Sequence, residues 1–368
     1  MASRRISPKA AALAAALCLA APVRTAGVGS SPDFDDAHFH LTNYVQEGIT
    51  ASRFLEIMGT RVGRSTLFGI PLQQTWAYGN SGDFAPTYYL ESDAPLYYYS
   101  FTDASIATEY LRLSPEQRAR FDPMITGFNP ADMYGVDHIR RVLRAFPGVF
   151  SGIGEFSIHK EFVSPKVSGE KASLTNPALD RILDFAAESG LVVIFHSDID
   201  MPFAKTDTEP VYLTQTKALF RRHPKAAIIW AHMGLGRVVH PAKYSAATEA
   251  AERSPAMMQI VENMLTDPAL SHVCFDLSWD EVAKYLVASP DVTARAAGLF
   301  NKYPDRFLFG TDTVAPASPE AYYAVYEKYA PLWKMLTPAA SAQVRRGNYE
   351  RLFDEGRRRV RAWEAAHR

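Results

Sequence analysis

The strongest constraint on this chain is an alternation. Eight short apolar runs recur along it, and longer stretches with helical spacing separate them. The runs are Phe34–Leu41, Ser65–Leu72, Pro123–Phe128, Phe150–Ile158, Leu191–Ser197, Ala226–Met233, Val273–Ser278 and Phe307–Asp312. Two of them contain stretches, Leu191–Phe195 and Ala227–Ala231, that are apolar at every position. Strands covered on both faces read that way, as in a parallel sheet. Between the runs, Asn176–Ser189 sets Leu179, Ile182, Leu183, Phe185 and Ala186 at helical spacing, and Ala242–Leu265 and Pro319–Lys328 read as further helices.

From His40 to Asp312 the chain takes seven strand-to-strand steps in 272 residues, about 39 per step. That is the length of a βα unit with moderate insertions, and eight such units make an α/β (β/α)8 TIM barrel. An open doubly wound sheet is the rival, but no Gly-rich phosphate turn follows an early strand. One stretch breaks the rhythm. After Leu72 come nearly forty residues rich in rings, among them Trp76, Tyr78, Tyr88, Tyr89, Tyr97, Tyr98 and Phe101. An insertion after the second strand belongs over the barrel mouth, as a lid, a substrate wall or a loop packing its own rings. No Pro-rich or Gly/Ser-rich linker divides the rest, so residues 27–368 read as one domain.

Residues 1–26 read as an export signal. Arg4, Arg5 and Lys9 precede the apolar run Ala10–Ala21, and small residues near Ala20 and Ala26 offer cleavage points. The paired arginines give it a partial twin-arginine character. The run is shorter than the roughly 20 residues that span a bilayer, so no stable membrane insertion is expected after cleavage. A periplasmic or secreted protein follows. Removing the signal takes away four positive charges and no negative ones, shifting the formal net charge from -1 to about -5. Such a balance argues against nucleic acid as a partner. Only Cys18 and Cys274 occur, so neither a disulfide framework nor a thiolate cluster is available.

What ends the apolar runs is more informative than the runs themselves. The first closes on His38-Phe39-His40, the fourth contains Gly154-Glu155, the fifth ends at His196-Ser197, the sixth at His232-Met233 and the eighth at Thr311-Asp312. Residues two apart on a strand share a face, so His38 and His40 can project toward one ion. In a barrel the C-terminal strand ends converge on one small volume. Imidazole and carboxylate together suit zinc first, and also manganese or iron, as one or two ions. His38, His40, His196 and Asp312 form the expected ligand set. Glu155 is a further ligand, bridging a second ion, or a residue that orients a ligand or the substrate. Asp276 ends the seventh run and either borders the pocket or caps a loop. His159 reaches the mouth or packs. The Arg357–Arg361 run reads as a solvated helix face.

These residues resemble the amidohydrolase superfamily, and within it the amidohydrolase-related branch of metal-dependent TIM-barrel hydrolases and decarboxylases. The resemblance covers Asp36 to about Phe353. It rests on His38-Phe39-His40, Gly154-Glu155, His196, Ala231-His232-Met233-Gly234 and Tyr303–Asp312, and on Gly347–Phe353 as a closing C-terminal helix. It implies metal ligation by His38, His40 and His196, with Asp312 on the metal or its water, and a catalytic imidazole at His232. Glu155 stands where some members use a carboxylated Lys, which leaves the metal count open.

Chemistry then gives tasks. A metal-activated water would attack an amide, ester or lactone carbon of a small molecule, Asp312 would move the proton, and His232 would polarise the carbonyl. The alternative is nonoxidative decarboxylation of an aromatic or related acid, with Asp312 protonating carbon and Arg237 holding a carboxylate. Aromatic residues after Leu72, Trp76 and Tyr78 among them, would suit the flat substrate of that reaction. A non-catalytic binding protein on the same barrel is a third reading. A homo-oligomer is compatible with all of them.

Overall fold

The computed structural model describes residues 31–42, 44–46, 48–73, 95–160, 163–199, 209–235 and 257–367. A compact unit runs from Pro32 to Arg368. The expected export signal and the central part of the aromatic insertion, with Trp76 and Tyr78, lie outside the described residues, as does most of the helix expected over Ala242–Leu265.

Eight parallel strands form one curled sheet in sequence order. They are β1 (Phe34–Asp36), β2 (Val62–Leu67), β3 (Phe121–Ile125), β4 (Gly152–His159), β5 (Val192–Ser197), β6 (Ala227–Trp230), β7 (Val273–Asp276) and β8 (Phe307–Leu308). This is the expected (β/α)8 barrel. The seam between β8 and β1 closes just past the strands proper. Ala37 N–H donates to the Phe309 carbonyl at 3.0 Å, Asp312 N–H donates to the His38 carbonyl at 2.7 Å, and Thr313 and Val314 pair in parallel with Phe39 and His40. Residues 37–40 and 309–314 therefore hold one another in place at the mouth.

Side-chain alternation divides the core. Val192 and Ile194 of β5, with Ile229, Ala231, Cys274 and Leu308, fill the barrel interior. Val193 and Phe195, with Ile228, Trp230, Phe275 and Phe307, belong to the cluster shared with the helices. His196 continues the row of Val192 and Ile194, and this period of two carries its imidazole to the inside.

Helix Pro177–Ser189 shows local coding at its ends. The Asn176 side chain accepts from Ala178 N–H, Pro177 opens the helix, and Gly190 closes it at φ 86°. Only glycine takes that left-handed conformation without strain. Leu179, Ile182, Leu183, Phe185 and Ala186 are buried, as their spacing requires.

The long helix Asn348–Ala366 lies against the N-terminal end of the barrel. Tyr349 O–H donates to Asp122 at 2.7 Å, and Arg357 pairs with the same buried carboxylate at 2.5 Å. Arg359 and Arg361 donate to the carbonyls of Ala187 and Phe150. The basic run is thus not simply a solvated face. Its Arg358 is solvated, paired to Glu355, while the other three arginines cap carbonyls that the strand and helix ends leave unpaired.

The aromatic insertion is closed at its base. Leu72 and Gln73 pair in antiparallel fashion with Tyr98 and Tyr97, and Leu96 bridges to Val167. Leu72, Leu96, Val163 and Val167 form a small apolar cluster there. Among the described residues no helix is long and apolar enough to cross a membrane.

Candidate metal centre

Asp36 organises the first strand end. Its carboxylate is fully buried and accepts from His38 N–H at 3.0 Å, Thr311 N–H at 2.8 Å, Thr311 Oγ1 at 2.7 Å and Tyr322 O–H at 2.6 Å. It therefore clamps the residue beside Asp312 to the segment that carries His38 and His40. Burial nonetheless pushes its pKa up to about 6, because four donors only partly offset the loss of water.

Two imidazoles take their orientation from Asp276. Asp276 Oδ2 lies 2.6 Å from His38 Nδ1 and accepts from Ser278 Oγ at 2.8 Å. Ser278 Oγ in turn lies 2.9 Å from His232 Nδ1. With its own proton directed at Asp276, the hydroxyl accepts from His232 Nδ1–H. Both rings are thereby fixed in the tautomer that leaves Nε2 as a lone pair. Asp276 also accepts from Ser278 N–H at 2.6 Å, so it caps its loop as well.

Glu155 is the hub onto which these nitrogens converge. Its carboxylate lies 2.7 Å from His196 Nδ1, 3.5 Å from His232 Nε2, 3.6 Å from His40 Nε2, 3.7 Å from Lys160 Nζ and 3.8 Å from His38 Nε2. Burial would raise its pKa, but the charges of Lys160 and His196 hold it well below the carboxylate range. The preceding glycine is required by space. A Cβ on Gly154, at φ +126°, would overlap the Ile194 carbonyl of the neighbouring strand.

Asp312 completes the ring. Its Oδ1 stands 3.0 Å from His40 Nε2 and 3.4 Å from His38 Nε2. His232 and Asp312 sit in left-handed backbone, at φ 54° and 53°. Non-glycine residues there cost roughly 1–2 kcal/mol each, so surrounding contacts must hold them. His196 is held from both sides, with Asp198 Oδ1 2.7 Å from its Nε2. Burial lowers the pKa of both His196 and His232. For His196 the neighbouring Asp198 overrides that and lifts it to about 9, whereas His232 stays below the usual imidazole value.

The donor set fits a divalent cation. Three overlapping groups have ligand atoms within 4.8 Å of one another: His38, His40 and Glu155; His38, His232 and Asp312; Glu155, His196 and His232. His38 Nε2 is buried and has no hydrogen-bond partner among the described residues, as a ligating lone pair would. Burial alone would keep His38 neutral, yet Asp276, Glu155 and Asp312 draw its pKa well upward. Carboxylates placed this way stabilise positive charge at that spot, and an ion would replace the proton.

The sequence model described as amidohydrolase matches residues 35–354. The chain belongs to the amidohydrolase family. No curated protein sequence matches it. Among solved structures, this chain resembles 4-oxalomesaconate hydratase from Rhodopseudomonas palustris at TM-score 0.51 and 12% identity, over 91% of this chain and 100% of that one. It also aligns with dihydroorotase from Campylobacter jejuni at TM-score 0.47 and 11% identity, over 88% and 83%. A Burkholderia multivorans amidohydrolase with bound zinc aligns at TM-score 0.46 and 14% identity, over 87% and 99%. The likeness to the hydratase is one of fold.

Above this cluster of imidazoles and carboxylates opens a pocket of about 180 Å³. His40, Glu155, His196, His232 and Asp312 line it, with Leu72, Tyr98, Phe156, Val163 and Trp279 as apolar walls. His38, His40, Glu155, His196, His232 and Asp312, all named from sequence, come together here. Arg237, Trp76 and Tyr78 fall outside the described residues. His159 packs, its ring stacked on Tyr212 at 3.5 Å. Sequence reasoning missed Asp36, Lys160, Asp198 and Ser278. Asp198 had a readable signal, since it follows His196 by two as His40 follows His38. The other three had none, because ordinary loop and strand ends are full of such residues.

Proposed function

We propose that this amidohydrolase is a metal-dependent hydrolase that cleaves an amide, ester or lactone bond of a small molecule. The supporting observation is the convergence of His38, His40, Glu155, His196, His232 and Asp312 on one pocket-lining cluster. His38, His40 and Asp312 would hold an ion at one end of the cluster and His196 one at the other, with Glu155 between the groups. A divalent ion bound there supplies Lewis acidity toward water and toward a carbonyl oxygen. Asp312, held against His40, accepts a hydrogen of the attacking water. His232, whose Nδ1–H is directed at Ser278, offers Nε2 to take that proton from Asp312 and deliver it to the leaving group. This differs from the expected carbonyl-polarising role, because a polarising group must donate and the Ser278 contact leaves Nε2 accepting. The leucine, valine and aromatic walls exclude water from the side facing away from the cluster.

The test is a screen of amides, esters and lactones with zinc-loaded protein. The reading expects turnover of at least one class, lost on chelation and restored by metal. A loaded protein inert toward all three classes would contradict it.

A second reading, decarboxylation of an aromatic acid, is supported by a cation, Lys160, among aromatic walls in the pocket. It predicts CO2 release, with Asp312 delivering a proton to carbon. We also propose export through residues 1–26. N-terminal sequencing of the mature protein checks it, and an intact Met1 start on the active protein would overturn it.

A further inference from the structure

We propose that Tyr98 is a catalytic residue of this pocket, its hydroxyl donating to the substrate carbonyl oxygen as negative charge develops there. This rests on the hydrolase reading above, in which no side chain yet donates to that oxygen. Attack of water on the carbonyl carbon moves an electron pair onto the oxygen, and a fixed donor aimed at it lowers the barrier. Collapse returns that pair and expels the leaving group with the proton His232 carries, while Tyr98 keeps its own. The carboxylates of Glu155 and Asp312 can only accept, and the Ser278 contact leaves His232 Nε2 accepting as well.

Local pairing puts Tyr98 in place. Leu72 stands directly opposite Tyr98 in the antiparallel pair at the base of the aromatic insertion, with Gln73 opposite Tyr97. Opposed residues point to one face, and the next pair points to the other. Leu72 and Tyr98 accordingly both line the pocket, whereas Tyr97 is exposed. Tyr99 N–H donates to the Pro71 carbonyl at 2.8 Å and extends the pairing. The Tyr98 ring packs on the cluster of Leu72, Leu96, Val163 and Val167. A phenol fixed at both backbone and ring has little freedom left to lose when a substrate binds.

Its hydroxyl is the uncommitted donor. Outside the imidazoles, four lining side chains carry an N–H or O–H: Tyr98, Ser157, Lys160 and Trp279. Lys160 faces Glu155 at 3.7 Å, and neither Lys160 nor Trp279 is without a partner. Tyr98 and Ser157 make no side-chain hydrogen bond among the described residues, and neither hydroxyl is sealed in the interior. Of these two the phenol is the more acidic, so it bonds a developing oxyanion more strongly. Burial pushes its pKa above the usual phenol value, which keeps it protonated across the neutral range. The pocket's 180 Å³ is comparable with a cavity that takes benzene, so a substrate whose reacting carbon lies at Asp312 also reaches this wall.

Infrared spectra of acetophenone bound to the zinc-loaded protein test this without turnover, because a hydrogen bond to a carbonyl lowers its stretching frequency. The band should lie lower in the wild type than in Tyr98→Phe, and the wild type should bind acetophenone about fivefold more tightly. With an amide, ester or lactone that is turned over, Tyr98→Phe should lower kcat roughly 10²-fold and leave KM within about threefold. Tyr97→Phe, on the exposed face of the same pair, should change neither. Near-identical metal content and Tm among the variants confirm that packing is kept. The proposal is overturned if the wild type does not bind acetophenone, or if the band is the same in wild type and Tyr98→Phe. It is also overturned if Ser157→Ala removes the shift with Tyr98 intact, or if Tyr98→Phe raises KM alone. A Tyr98-dependent band in a protein that cleaves no amide, ester or lactone would keep the donor and remove the hydrolase reading. Full turnover by Tyr98→Phe would do the reverse.

Discussion

Asp276 Oδ2 and His38 Nδ1 are 2.6 Å apart, both fully buried. That contact decides which nitrogen His38 turns toward Glu155 and Asp312. Asp276→Asn keeps the shape but can present an amide N–H to Nδ1, which favours the wrong tautomer. Metal affinity should fall roughly 10–100-fold, as for other partners that orient ligating histidines. A competition titration against a fluorescent chelator reads it. Unchanged affinity would show that Asp276 serves only its loop.

His38 and His232 share one cluster but divide its work. His38→Ala should lose bound metal. His232→Ala should retain an ion on the His38, His40 and Asp312 side while turnover falls by roughly 10²–10⁴. Metal content and turnover measured on the same preparations separate the two, and equal metal loss in both variants would show the division is wrong.

Asp36→Ala should destabilise the protein by about 3 kcal/mol. It leaves buried donors at Thr311 and Tyr322 without an acceptor. Urea unfolding followed by circular dichroism measures this. A loss below about 1 kcal/mol would mean that the seam between β8 and β1 is held by its backbone bonds alone.

Stability should also carry the signature of Asp35. Its Oδ2 is buried without a hydrogen-bond partner among the described residues, and burial raises its pKa from 3.8 to about 7. The folded state binds this proton more tightly than the unfolded chain. The contribution is therefore full below the unfolded value and is lost as pH rises through about 7. Asp35→Asn should gain stability relative to wild type between pH 5 and pH 8, by roughly 2 kcal/mol. Parallel Tm profiles for the two proteins would contradict it.

The barrel was legible because its cause is local. Five-residue apolar stretches such as Leu191–Phe195 can be satisfied only between two covered faces, and Asn176, Pro177 and Gly190 mark a helix within their own neighbourhood. The candidate ligands were legible because imidazoles and carboxylates at strand ends are conspicuous. Their supports were not. Asp36 and Ser278 act through partners far away in sequence, and Asp276 reads in the sequence only as a pocket border or a loop cap, because its hold on His38 spans 238 residues. Strand lengths were overestimated at β8, where Phe309 to Asp312 leave the sheet to form the seam with residues 37–40.

Elemental analysis of protein purified from zinc-supplemented medium bears most directly on the whole account. It should find about one or two divalent ions per chain, and clearly fewer in His38→Ala and His40→Ala. A wild-type protein that is folded, binds no zinc, manganese or iron when loaded, and matches those variants in metal content would contradict it.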